Sequence, residues 1–355
     1  MKYWIGLILA CCALTASAKD FLIVASRPNE LHVIDVAARK VVHSYRIPGH
    51  GIASTISVAP DGKVAYVLTD RNESISGIDL DSGKQVFRAD MSYANVRVKS
   101  LFAIAVSQDG KHLYVYEIPT RLKADEYQVM HTRIAVYDTA DGVGAKPRHV
   151  FPAPRRIGLL APTSDGRLMA LGWDVYLFNT ATGAIDKTFP LRNWKRKGFG
   201  EPDILDFWPQ YEQAHMMSTP YYVPRTDVDP KSPEAVKLGI MTFDLDTDSM
   251  VVTEVGNADA GFFSSVVNPV NKHEVFAVMN QLYKIDLAAK KVVQRAKLHR
   301  TYYAINISSD GKELYLGGAS SFIAVYDAQT LKKKAEIPMP GESDQGASSL
   351  RIVRR

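Results

Sequence analysis

The sequence predicts an all-β protein: a seven-bladed β-propeller of four-stranded blades, with the ring closed by N- and C-terminal strands that share one blade. The main observation is a recurring unit in which a strand ends in Asp or Asn, a short turn follows, and another apolar strand begins. Four of the six spacings between these strand ends are 41–44 residues, and the other two are 59 and 65. The seven strand ends are Asp35, Asp79, Asp138, Asn179, Asp244, Asp286 and Asp327.

A second recurring feature is a polar turn after an apolar strand. Asp-Gly between alternating apolar runs is a strong hairpin signal, because the turn needs the positive φ that Gly tolerates. In the clearest unit, the runs Leu101–Val106 and His112–Glu117 flank such a turn, and Arg133–Tyr137 follows after an interruption. The polar turns are Asp61-Gly62, Asp109-Gly110, Asp165-Gly166, Asn271-Lys272 and Asp310-Gly311.

The two ends of the chain fit a closed ring. Phe21–Ala25, Leu31–Val36 and Val41–Arg46 predict three strands of a blade that lacks its innermost strand. The C-terminal run Ser348–Val353 can supply that strand, and closure removes the open sheet edges that invite aggregation. A two-sheet sandwich, the alternative, does not explain seven evenly spaced units.

Residues 1–18 have the pattern of a cleavable export signal, and residues 19–355 form the predicted propeller. Lys2 is the positive end, Trp4–Leu14 the short apolar core, and Ala16-Ser17-Ala18 the small-residue cleavage site. Ile8–Cys11 loosely resembles a lipoprotein box, which leaves an anchored form as the alternative. The only two cysteines, Cys11 and Cys12, fall within this segment. We therefore expect the processed chain to have no disulfide, no thiolate metal site and no covalently attached haem.

The charge pattern excludes some partners. The formal net charge is +5 for 355 residues, and the cations are scattered. Their densest group, Arg192–Lys197, is either a solvated loop or a docking patch for an acidic partner. No nucleic-acid-binding motif accompanies these charges.

Catalytic patterns are missing from the sequence. The nine histidines do not show zinc-ligand spacing, and neither a Gly-x-Ser-x-Gly elbow nor a phosphate loop occurs. We predict no catalytic, cofactor-binding or metal-binding residue in this chain. The Asp residues at strand ends are expected to satisfy backbone groups of turns, although a carboxylate ring that binds calcium in the central channel stays an alternative.

The blade order predicts one plain face and one elaborated face. If A is the innermost strand, the Asp-Gly turns join A to B on one face, and the B-to-C and D-to-A connections lie on the other. Both long insertions are interpreted as B-to-C connections: Ile118–Thr132, and a segment from about Pro209 or Met216 to Lys237. Such insertions are usually functional or mobile.

Aromatic and basic side chains concentrate on that elaborated face, as expected for a partner-binding surface. His131 accompanies Arg121 in the first insertion. Neighbouring strand residues point to opposite sides, so about half of the paired aromatics are expected in the core. The candidates for a partner or substrate-cavity surface are Phe102, Arg121, Trp208, Tyr221, Tyr222, Phe262, Phe263, Tyr302 and Tyr303.

Several segments closely resemble the β subunit of quinohemoprotein amine dehydrogenase, and the similarity spans the predicted processed chain, insertions included. The chain is more distantly similar to the methylamine dehydrogenase heavy chain and other YVTN-type bacterial propellers. The segments are Arg97–Leu122, Thr132–Asp138, Thr219–Pro230, Phe262–Pro269 and Tyr302–Ala319.

The resemblance implies a periplasmic heterotrimer in which this chain is the non-catalytic propeller. In that family a dihaem cytochrome c α subunit and a small γ subunit with cysteine tryptophylquinone oxidise primary amines to aldehyde and ammonia. Electrons pass to haem c, and the β subunit carries γ and helps to wall the substrate cavity. Two other functions remain open: a stand-alone periplasmic binding or scaffold propeller, and a metal-dependent propeller hydrolase.

Overall fold

The computed structural model describes residues 18–205, 208, 210–259, 261–346 and 348–355. All but the last residue of the predicted export signal lies outside the described residues. Within these described residues, thirty β-strands form seven sheets, one per blade, with two short 3-10 helices at Thr139–Asp141 and Pro340–Glu342. The predicted seven-bladed propeller is confirmed.

Each of the first four blades is a consecutive stretch of strands, except that the first takes one strand from the C-terminus. Blade 1 contains β1 (Asp20–Ser26), β2 (Glu30–Asp35), β3 (Lys40–Arg46) and β30 (Leu350–Arg354). Blade 2 contains β4 (Ile56–Val58), β5 (Val64–Thr69), β6 (Ser74–Asp79) and β7 (Gln85–Asp90). Blade 3 contains β8 (Val96–Lys99), β9 (Ile104–Val106), β10 (His112–Leu122), β11 (Tyr127–Val129), β12 (Arg133–Asp138) and β13 (His149–Pro152). Blade 4 contains β14 (Leu159–Pro162), β15 (Leu168–Leu171), β16 (Val175–Phe178) and β17 (Ile185–Phe189).

The last three blades have four strands each. Blade 5 contains β18 (Asp203–Ile204), β19 (Met216–Pro224), β20 (Val236–Asp244) and β21 (Ser249–Asn257). Blade 6 contains β22 (Ser264–Asn268), β23 (Asn271–Val278), β24 (Gln281–Asp286) and β25 (Lys291–Lys297). Blade 7 contains β26 (Ala304–Ile307), β27 (Glu313–Gly317), β28 (Phe322–Asp327) and β29 (Lys333–Pro338).

Burial falls from the innermost to the outermost strand. The innermost β14, β22 and β26 are buried at every position, whereas the outermost β25 alternates exposed with half-buried residues. Within the described chain, seven apolar clusters lie one at each interface between adjacent blades. Because the blades stack face to face, inner strands need apolar side chains on both faces.

The ring closes as predicted, with β30 antiparallel to β1 from the pair Asp20↔Arg354 to the pair Val24↔Leu350. Beyond the strands, Lys19 N–H donates to the Arg355 carbonyl at 2.7 Å, and Arg355 N–H donates back at 2.9 Å. Blade 1 is therefore built from both ends of the described chain.

The repeated Asp residues close turns. In three A-to-B turns, the Asp side chain accepts a hydrogen bond from a hydroxyl two residues earlier: Ser107 to Asp109, Thr163 to Asp165 and Ser308 to Asp310, at 2.6–2.7 Å. At a strand end, Asp79 accepts from Ser82 N–H at 2.7 Å. These carboxylates satisfy turn donors, as the sequence predicted.

Two predicted boundaries are wrong. The first strand of the Ser100–Asp138 unit begins at Ile104, not Leu101, because Phe102 has a φ of +62°, which no strand residue adopts. The turn predicted at Asn271-Lys272 lies earlier, at residues 269–270, since β22 ends at Asn268 and β23 begins at Asn271.

The second predicted insertion is also placed differently. Met216–Pro224 is strand β19, so the additional length divides between the segment that joins β18 to β19 and the hairpin tip between β19 and β20. Trp208 therefore belongs to an A-to-B connection, and Tyr221 and Tyr222 lie in a strand and not in a loop. Uninterrupted pairing from Met216↔Asp244 to Pro224↔Val236 accounts for this difference.

Candidate functional site

Three candidate residues meet at the end of the central channel where the connecting segments enter the innermost strands. Trp208 stacks on Tyr303, with ring centroids 5.7 Å apart and ring planes 12° apart. Phe263 packs edge-on against both, at 6.5 Å from Trp208 and 5.3 Å from Tyr303. All three are half-buried. We call this cluster the aromatic mouth.

The position of the aromatic mouth follows from strand alternation. Phe263 and Tyr303 each immediately precede an inner strand, β22 and β26. Their neighbours Phe262 and Tyr302 point the other way and are 2% and 0% exposed. Each aromatic pair thus divides between core and surface, as alternation predicts.

Behind the aromatic mouth, residues 210–213 of the connection between β18 and β19 lie in the central channel, and we call them the channel segment. Gln210, 2% exposed, accepts hydrogen bonds from Asn306 Nδ2 of blade 7 and Arg351 Nη1 of blade 1, at 3.2 and 3.0 Å. Tyr211 O–H donates to the Leu160 carbonyl of blade 4 at 3.4 Å. Contacts with inner strands from three blades show that this segment fills the channel.

Arg351 is the charged centre of this channel segment. Its Nε donates to the Ile56 carbonyl at 2.8 Å, and its Nη1 donates to Glu212 Oε1 at 2.8 Å. The Arg351 side chain is 5% exposed and the Glu212 side chain 34%. A buried cation with several acceptors fixes the channel segment in place, and Gln210 Nε2 in turn donates to the Trp208 carbonyl at 3.1 Å. On the plain face, a cavity of about 270 Å³ lies below this segment.

Tyr221 and Tyr222 do not form an exposed patch. Tyr221 is fully buried and donates its hydroxyl proton to Glu254 Oε1 at 2.6 Å. Burial, the hydrogen bond to Glu254 and its negative charge raise the Tyr221 pKa. Tyr222 is half-buried and its hydroxyl accepts from Phe262 N–H at 2.6 Å. Tyr221, Phe262 and Tyr302 are therefore corrected to core positions, because each side chain lies in the apolar cluster between its own blade and the preceding one.

The remaining candidates lie in blade 3, in a second region of the elaborated face. β10 continues past Glu117, the last residue that pairs with β12, and its end pairs with β8 on one side and β11 on the other. We call β8, residues 118–122 of β10, and β11 the projecting sheet. Arg121 and His131 are exposed there, and Phe102 is half-buried beside it.

The basic segment Arg192–Lys197 is a folded loop, with half of its cations engaged. Arg196 lies 4.6 Å from the Trp194 ring centroid, and its Nη2 donates to Glu254 Oε2 at 3.0 Å. Arg192 donates to the Gly172 and Ile204 carbonyls, both at 3.2 Å. Lys195 and Lys197 remain exposed.

Sequence reasoning missed four residues of the site: Gln210, Glu212, Asn306 and Arg351. A signal existed for Arg351, because a lone cation interrupts the apolar C-terminal strand. It also missed Trp173, whose ring lies 4.8 Å from the Arg156 guanidinium and 5.6 Å from that of Arg192. Nothing in the sequence spacing predicts that these two distant arginines meet one ring.

The described residues contain neither a candidate metal-ligand cluster nor a candidate membrane-spanning helix. No group of three or more His, Cys, Asp or Glu side chains in that part of the chain could hold a metal ion. Within the same residues, no helix has the length and apolar character needed to cross a bilayer.

Comparison with known proteins shows the fold and leaves the family open. No protein-family model matches this chain, and no curated protein matches its sequence. Hydrazine synthase of Kuenenia stuttgartiensis is similar over 92% of this chain and 100% of its own, with 13% identity and a TM-score of 0.62. A functionally unknown protein of Desulfotomaculum acetoxidans is similar over 94% and 98%, with 11% identity and a TM-score of 0.62.

A third structure, dihydro-heme d1 dehydrogenase NirN in complex with DHE, matches 94% of this chain and 75% of its own, with 14% identity and a TM-score of 0.54. At these identities the likeness establishes the propeller fold alone. One scaffold serves many unrelated functions, so the site must carry the functional argument.

Proposed function

We propose that this chain is the non-catalytic propeller subunit of a periplasmic quinohemoprotein amine dehydrogenase. Its partners would be a dihaem cytochrome c α subunit and a small γ subunit that carries cysteine tryptophylquinone. The complex would oxidise a primary amine to aldehyde and ammonia and pass the electrons to haem c. This chain would hold γ on its elaborated face and help to wall the amine cavity.

The aromatic mouth is the observation that carries this proposal. Trp208, Phe263 and Tyr303 form a half-buried aromatic cluster on the face that also bears the projecting sheet. Aromatic side chains serve both as anchors in protein interfaces and as cation–π partners of ammonium groups. A surface that must grip a subunit and border an amine channel needs both properties.

Two further observations support the proposal. Outside the predicted export signal the sequence has no cysteine, so the quinone and the covalent haems would belong to other subunits. One of the similar structures, dihydro-heme d1 dehydrogenase NirN, is a redox enzyme, and another is hydrazine synthase. Propellers of this general shape thus occur in redox proteins.

A stand-alone periplasmic binding or scaffold propeller is the second candidate. The closed ring favours it, because β30 completes blade 1 from within the chain and the described channel segment fills the centre. Such a protein needs no partner to fold. It would be found alone and would lack redox companions.

The kinetic test uses the intact complex from the source organism. Deleting this gene should abolish primary-amine-dependent reduction of a dye acceptor by periplasmic extract, and the wild-type gene should restore it. Trp208→Ala should lower kcat/KM for the amine about tenfold through a higher KM, because it removes one cation–π partner. Val270→Ala, at a 67% exposed position on the plain face, is the matched control. Unchanged amine oxidation in the deletion strain would refute the proposal.

A further inference from the structure

The edge of β11 leaves backbone hydrogen-bonding groups unused. Lys123 N–H donates to the Glu126 carbonyl, and Met130 N–H donates to the Pro119 carbonyl, at 3.0 and 3.1 Å. Antiparallel pairs alternate between bonded and non-bonded, so Tyr127 and Val129 are the non-bonded positions opposite Leu122 and Thr120. Their N–H and C=O groups therefore point away from β10, and no hydrogen bond joins them to other described residues.

This edge lacks the usual protection. Charged side chains, above all Lys, commonly keep exposed edges from pairing with other chains. Five of the seven outermost strands, β3, β7, β17, β25 and β29, carry one to three Lys or Arg residues, whereas β13 and β21 carry none. β11 reads Tyr-Gln-Val, and its Tyr127 and Val129 side chains are 76% and 57% exposed. An uncharged, exposed edge is suited to accept another strand.

The neighbouring groove has the position and size for that strand. β13 pairs with β12, and this pairing ends where Ala153 N–H donates to the Thr132 carbonyl at 3.1 Å. Beyond that point the β11 edge continues with a groove of about 480 Å³ beside it, lined by residues that include Gln128, Val129 and Pro152. An added strand would lie beside β11 in the position that corresponds to that of β13 beside β12.

The groove is basic, which identifies the chemistry of its occupant. Arg121, His131, Arg133 and Arg155 line it, and no Asp or Glu does. Only Arg133 is paired, with Glu117 at 2.7 Å; among the described residues, Arg121 and Arg155 have no acidic partner within 4.0 Å. A second copy of this chain would bring the same cations into the groove, so charge complementarity favours an acidic segment.

We propose that Tyr127–Val129 is a strand-addition site for an extended acidic segment of a partner protein. Backbone hydrogen bonds to Tyr127 and Val129 would supply affinity, and contacts with Arg121 and Arg155 would select acidic side chains. The site stands independently of the proposed redox complex, since it rests only on the edge and the groove of blade 3.

The test uses the full chain and a capped (Glu-Val)₄ peptide, measured by calorimetry and by hydrogen exchange. Binding should slow exchange at Tyr127 and Val129. Two N-methylated forms of the peptide, modified on all Glu or all Val amides, block opposite edges. One form should bind like the parent and the other should lose about tenfold or more, because only one edge meets β11. A capped (Lys-Val)₄ peptide should not bind.

The variants isolate the edge from the charges. Val129→Pro removes an outward N–H and keeps the inward pairing, so the fold should persist while peptide binding falls about tenfold. Arg121→Gln should weaken binding mainly at low salt. Equal binding of both methylated peptides, or undiminished binding to Val129→Pro, would overturn the proposal. So would a dimer of this chain that Val129→Pro dissociates, since the occupant would then be a second copy.

Discussion

At the scale of single residues, Arg351 shows how one buried side chain organises the centre of the molecule. Its guanidinium joins the innermost strand of blade 2 to the channel segment through Ile56, Gln210 and Glu212. A planar group with five donors can bridge acceptors from different elements, which a lysine cannot do in the same geometry.

Arg351→Met should therefore destabilise the protein by roughly 3 kcal/mol, because it leaves buried acceptors without their donor. It should also release the channel segment, observed as increased solvent exposure of Trp208 fluorescence. Chemical unfolding measures the first effect. Arg354→Met, at an exposed position of the same strand β30, is the control and should change the free energy of unfolding little. Equal stability of the two variants would contradict the bridging role.

His32 predicts a second residue-scale effect, a loss of stability in acid. The ring is 0% exposed and bonded to the Ser26 and Ser44 hydroxyls, both at 2.8 Å. Burial lowers the pKa of His32 from 6.5 to about 4. The ring is then neutral at pH 7, so the Glu30 carboxylate 3.7 Å away forms no ion pair with it there.

Between pH 6.5 and pH 4 the unfolded chain binds a proton on His32 and the folded chain does not. The contribution of the neutral His32 ring to the free energy of unfolding is therefore complete above pH 6.5 and is lost as the pH falls toward 4. The loss is on the order of 3 kcal/mol. Urea unfolding of wild type and His32→Gln across pH 4–7 measures it, with exposed His149→Gln as the control. Parallel pH profiles for wild type and His32→Gln would contradict the assignment.

At the scale of elements, strand periodicity predicted more of the blades than of the site. Inner and middle strands were recognisable because burial on both faces requires apolar runs, as in β26 and β28. The path of the channel segment was not, because Gln210 and Glu212 are placed by long-range hydrogen bonds to Arg351. A local sequence pattern does not indicate a hydrogen-bond partner that lies 139–141 positions away.

The projecting sheet should be separable from the propeller. The β10–β12 pairing ends at Glu117↔Arg133, so a two-residue Asn-Gly turn can replace Ile118–Thr132. The thermal midpoint should move by only a few degrees, since the deleted residues form none of the propeller's inner strands. Binding of the acidic peptide should disappear. Calorimetry measures both quantities, and collapse of the fold would show that the projecting sheet is structural.

At the scale of the whole molecule, the ring depends on a closure that joins the two ends of the described chain. Leu350 is fully buried in the cluster between blades 7 and 1. Leu350→Ala should reduce the free energy of unfolding by about 2–5 kcal/mol, because it leaves a cavity at the closing blade. Val270→Ala, at an exposed position, should change it by less than about 0.5 kcal/mol. Similar free energies of unfolding for the two variants in urea would contradict a stabilising role of the ring closure.

The function proposed for the whole molecule is that of the non-catalytic subunit of an amine dehydrogenase. The most direct test is purification of the tagged, full chain from its source organism, followed by an absorbance spectrum and by haem and quinone staining of the separated subunits. If the proposed function is right, two companions should purify with the chain, one that stains for haem and a small one that stains for quinone, and this chain itself should not stain. A tagged chain that purifies alone, without haem absorbance or a quinone-staining companion, would contradict it.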